Sequence, residues 1–142
     1  MDNGITLLNK KVFDSKMLEI YDAVHGVRYW FAKVKSAKEF DDVLVKLIPN
    51  CEKIIDLTPT EVDAQTGGEC VEMVLDGKLV IAFWADVHSI DSIAHESMHA
   101  ILFAAKSRGI STADGDEALC YMYGFLMEEL FKKLKLRIVK GR

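Results

Sequence analysis

The run Lys78-Leu79-Val80-Ile81-Ala82-Phe83-Trp84 narrows the folds open to this chain more than any other stretch. It is short, apolar and rich in β-branched and aromatic residues, so it reads as a buried strand. Asp76-Gly77 stands just before it, and Asp-Gly is a strong signal for a two-residue type I′ hairpin turn. Upstream, Val71, Met73 and Leu75 alternate with Cys70, Glu72 and Val74. The stretch Glu69 to Leu75 is therefore the expected hairpin partner.

A helix should follow the hairpin. Ser89 suits an N-cap, and Asp91 in the first turn suits the helix dipole. From Ile90 the apolar residues Ile93, Ala94, Met98, Ile101, Leu102 and Ala105 recur at threes and fours, which gives an amphipathic face. Lys106 and Arg108 favour the C-terminal end, and Gly109 is a plausible stop. Inside this helix lies His95-Glu96-Ser97-Met98-His99, an H-E-x-x-H pattern. On a helix its two histidines stand about 40° apart, one turn above the other. Two imidazoles so placed can bind one zinc ion at about 2.0–2.1 Å each. Glu96 lies about 100° round from His95, on the flank of that face. It is too far round to be the natural third ligand but near enough to act as a general base.

A catalytic zinc commonly has three protein ligands and one open position. After the polar turn Ser111 to Glu117, a second helix is expected, its wide apolar face made by Ala118, Leu119, Tyr121, Met122, Phe125, Leu126, Leu130 and Leu134. Glu117 falls in its first turn, and Glu117, Tyr121, Gly124 and Glu128 form one stripe. A glycine in mid-helix costs about 1 kcal/mol against alanine. A close crossing at Gly124 would account for it and would carry Glu117 to the metal. Asp116 and Asp114 are alternative third ligands, and the competing reading of Glu117 is an acid favoured by the helix dipole. Tyr121 either donates its phenol to a developing oxyanion or packs in the core. Asp91, one turn before His95, can accept from an imidazole N–H or simply open the helix. His88 is either a partner of the site or a solvent-exposed residue ahead of the helix.

His95-Glu96-Ser97-Met98-His99, followed by a helix opened by Asp116-Glu117-Ala118, resembles the gluzincin branch of the zincin metallopeptidases. It is also similar to the compact ImmA/IrrE-type peptidases and to small phage- or prophage-encoded zincin-like proteins. The resemblance runs from about Lys78 to Glu129. It implies one Zn2+ per chain on His95, His99 and a glutamate of the following helix, here Glu117, with Glu96 as the catalytic base. It also implies hydrolysis of a peptide bond, in a specific intracellular protein substrate, and an edge strand near the metal helix that aligns the substrate. The chain departs from the thermolysin pattern in carrying Tyr121 where an acidic residue would orient a histidine. Leu102 and Phe103 stand where metzincins continue their longer motif, which excludes that branch. The reading from another class is a non-catalytic zinc-binding regulatory or interaction protein, such as a phage-derived regulator. A fourth protein ligand such as His88 or Cys120 would favour it.

With 142 residues, half of them apolar, the chain is expected to form a single domain with its own core. No apolar run reaches the ~18 residues of a transmembrane helix. Met1-Asp2-Asn3-Gly4 carries no basic region of the kind that opens a secretory signal. Cys51, Cys70 and Cys120 are odd in number and widely spaced, which argues against a disulfide framework and fits a reducing cytoplasm. The net charge of −4 suggests no broad nucleic-acid affinity. The basic tail, Lys132, Lys133, Lys135, Arg137, Lys140 and Arg142, suits a helix C-terminus. Neither an oligomeric state nor a membrane partner is suggested.

The expected fold is α+β: a small twisted sheet, with the H-E-x-x-H helix on it and a C-terminal helix after it. In the N-terminal half, Leu18–Val24 and Gly26–Ala32 read as strands. Ser36-Ala37-Lys38-Glu39 reads as a capping box, leading a helix that Pro49 ends. Glu52–Leu57 reads as a further strand, and 58–68 as a loop.

Overall fold

The computed structural model describes residues 4–49, 60–63, 67–111, 113 and 116–136. The described residues are α+β, with four helices and five strands. In chain order these are α1 (Lys10–Lys16), β1 (Met17–Asp22), β2 (Val27–Ala32), α2 (Ala37–Leu47), β3 (Thr60–Asp63), β4 (Gly68–Leu75), β5 (Lys78–Ala85), α3 (Ile90–Ser107) and α4 (Asp116–Leu134). The strands form one mixed sheet in the order β1-β2-β5-β4-β3. Only β2 and β5 run parallel; the other neighbours are antiparallel.

The β5 run is apolar throughout because the strand has cover on both faces. Val80, Ala82 and Trp84 pack with Phe40, Val43, Leu44 and Leu47 of α2. Leu79, Ile81 and Phe83 pack with Ile93, Ala100, Ile101 and Ala104 of α3 and with Met122, Leu126 and Leu130 of α4. The molecule thus has three layers, and burying each large apolar side chain contributes roughly 1.5–3 kcal/mol. The β4–β5 turn is the expected one: Asp76 and Gly77 have φ of 50° and 75°, both left-handed, as type I′ requires. Asp76 also accepts from the Thr6 N–H at 2.6 Å.

Two local features differ from the sequence reading. Residues 60–63, within the stretch read as loop, form β3, and Gly68 is already in β4. Thr-Glu-Val-Asp is short and mostly polar, so its hydropathy does not separate an edge strand from a loop. The helix α2 is capped by Ser36, which accepts from the Glu39 N–H at 3.1 Å. The Glu39 carboxylate, however, accepts from Lys35 N–H rather than from the cap residue itself. The strand expected at 52–57 lies outside the described residues, as do Cys51, Asp114 and the tail from Arg137.

At the β1–β2 turn, Asp22 is buried. Its carboxylate accepts from the N–H groups of Val24 and His25 and lies 2.7 Å from His25 Nδ1.

Candidate metal centre

The helix carrying the motif is well terminated at both ends. Ser89 caps α3 by accepting from the Ser92 N–H at 3.1 Å. At the far end Gly109 takes φ 71°, and the Ile110 N–H reaches back to the Ala105 carbonyl at 2.8 Å. That left-handed residue closes the helix as the sequence suggests. The small residues Ala100, Ala104 and Ala105 are fully buried, which lets α3 lie close against β4 and β5.

His95 and His99 fall at the margin of this buried face, His95 exposed and His99 half-buried. Their Nε2 atoms are 3.1 Å apart, and the rings meet edge to face with centroids 4.7 Å apart. Two nitrogens at about 2.1 Å on one tetrahedral ion stand about 3.4 Å from each other. The observed separation is within a few tenths of an ångström of that value. It also suits an Nε2–H of one ring donating to the other. Glu96 has no exposure at all. Ligand atoms of His95, Glu96 and His99 lie within 4.8 Å of one another, so the three could hold a metal ion. Removing a carboxylate from water costs several kcal/mol unless opposite charge compensates. A cation on the histidine pair would supply such compensation.

The seat of Glu96 includes a residue that the motif does not indicate. Gly68, the first residue of β4, pairs with Ala85 and Asp63. A Cβ at position 68 would stand 2.3 Å from Glu96 Cγ and 2.7 Å from its Oε1. The two-residue period of the strand, continued back from Cys70, carries the signal. Cys70 belongs to the α3 side of the sheet, so Gly68 does too.

Other nominated residues are not brought into the group. Glu117 is exposed. It stands nine residues from Leu126, about 180° round the helix, and Leu126 is fully buried with Met122 and Leu130. The stripe Glu117, Tyr121, Gly124 and Glu128 is therefore the solvent face of α4. A Cβ on Gly124 would meet nothing within 4 Å, so no close helix crossing occurs there, contrary to the sequence reading. Beside the apolar packing of the two helices, the Tyr123 phenol donates to the Ala94 carbonyl at 3.4 Å; burial raises its pKa. Asp116 opens α4, but its side chain lies outside the described set. Tyr121 is 75% exposed and lines a separate cavity of about 590 Å³ with Tyr21, His25, Met122 and Phe125. Asp91 and His88 are exposed, and the His88 N–H donates to Asp86. Cys120 is a free, exposed thiol. Among the described residues, neither it nor His88 joins the metal-holding group.

Comparison with protein-family models, curated proteins and solved structures finds no match. No helix among the described residues is long and apolar enough to cross a membrane.

Proposed function

We propose that this chain is a zinc-dependent peptidase built on its H-E-x-x-H pair and acting on a specific protein or peptide substrate. The observation that carries the reading is the convergence of the His95 and His99 Nε2 atoms, 3.1 Å apart, beside a wholly buried Glu96. A pair of imidazoles suits zinc among the common divalent ions. Zinc bound there would supply Lewis acidity and lower the pKa of water towards 7. His95 and His99 hold and orient the ion. Glu96 takes the proton of the attacking water and returns it to the leaving amine as the C–N bond breaks. Its burial keeps competing water away and strengthens its electrostatic influence on the reacting atoms.

The test has two stages. Protein purified without added metal should take up about one zinc per chain, as two imidazoles beside a carboxylate require. His95→Ala and His99→Ala should lose it. Glu96→Gln should keep zinc and lose cleavage of a mixed peptide pool by orders of magnitude, read by mass spectrometry. Zinc retained in both histidine variants sinks the ligand assignment, and undiminished cleavage by Glu96→Gln sinks the base.

A second reading draws on one observation. Tyr121, the phenol nominated for the oxyanion, faces solvent and a separate cavity. A metal-holding regulatory protein without hydrolysis needs no such donor. It predicts zinc uptake with no cleavage from any peptide in the pool.

A further inference from the structure

We propose that Gly68 is a positioning residue for Glu96, its missing side chain forming the slot in which the carboxyl group is held beside the histidine pair. The role as positioner of a base rests on the function proposed above; the slot itself rests on packing alone. An ideal Cβ at position 68 would lie 2.3, 2.6 and 2.7 Å from Glu96 Cγ, Cδ and Oε1. No carbon tolerates neighbours so near, and the overlap begins at Cγ and runs on into the carboxyl group. The carboxyl group therefore fills the volume that residue 68 leaves empty. Gly68 is not in the left-handed region and needs no special backbone freedom; it is required for space.

The slot also limits where Glu96 can go. The side chain is fully buried, with α3 behind it and the start of β4 in front. Gly68 cannot retreat easily, because its strand is paired on both sides, to Ala85 of β5 and Asp63 of β3. A methyl group at position 68 must then push the carboxyl out of its rotamer and away from the Nε2 pair. A base held by packing has lost its rotamer freedom before substrate arrives, which is what preorganised proton transfer needs.

The experiment is a double-mutant cycle on the full chain with Gly68→Ala, Glu96→Ala and the pair, reading thermal midpoint and zinc uptake. Gly68→Ala should lower the midpoint by several degrees when Glu96 is present and leave it unchanged when residue 96 is alanine. Gly68→Ala should still take up about one zinc per chain, because neither histidine is displaced. Against any peptide that wild type cleaves, Gly68→Ala should lower kcat as far as Glu96→Gln does while KM holds. An equal loss of midpoint in both Glu96 backgrounds overturns the proposal, since the conflict would then be with another neighbour. So does full kcat in Gly68→Ala. If no variant binds zinc while the coupling persists, the metal reading has failed and the slot stands.

Discussion

Glu96 and Glu69 are both buried carboxyls, on opposite faces of the same sheet, and they show how differently residues of one type are read. Glu96 is legible in the sequence because its partners His95 and His99 are local, and helix geometry alone brings them together. Gly68 is not legible in this way, since its contact with Glu96 depends on how α3 docks on β4, which no local pattern encodes. Glu69 is hidden for the same reason. It faces the α2 side, and burial first, then the charge of Asp41, pushes its pKa up from 4.5 to about 7. The sign follows from proton binding: between those values the folded state holds a proton that the unfolded chain has released. Its contribution to stability is thus full below about pH 4.5 and is lost as pH rises through about 7. Glu69→Gln, which stays neutral, should be more stable than wild type at pH 8 by on the order of 2 kcal/mol. The gain should vanish at pH 4; denaturant melts at the two pH values check it.

Among the elements, those with a strong period were readable from the sequence. β4, β5 and α3 sit where alternation, Asp76-Gly77, Ser89 and Gly109 place them. The edge strand β3 was not readable, because four largely polar residues carry no strand pattern of their own and pair with β4. α4 was found, but its orientation was misjudged. A mid-helix glycine suggested a crossing, whereas the buried stripe runs through Leu119, Met122, Leu126 and Leu130. Since a Cβ on Gly124 meets open space, Gly124→Ala should stabilise the protein by about 1 kcal/mol. Chemical denaturation reads this directly, and a destabilised variant would restore the crossing.

At the scale of the whole molecule, the α+β class was legible, but the covering of both sheet faces was not. The apolar β5 run marks a buried strand without saying which helices lie above and below it. Metal binding should also register globally. An ion held only by the folded chain stabilises it by about 2.7 kcal/mol at a hundredfold excess over Kd. Zinc should therefore raise the thermal midpoint of wild type, and His95→Ala should abolish the rise.

The C-terminal end of α3 is tied down. Arg108 donates to the carbonyls of His25 and Gly26, in the β1–β2 turn, at 2.8 and 2.6 Å. Ser107 bonds Glu72 of β4, while Tyr123 grips Ala94 near the other end. These ties act as a torsional brake. An imidazole tip rides at a radius of roughly 7 Å from the helix axis, so a roll of about 10° would sweep it by about 1 Å. Displacements of that size are enough to cost about a hundredfold in rate. A residue thirteen positions from His95, outside the candidate metal group, thereby helps set the angle at which both histidines are aimed.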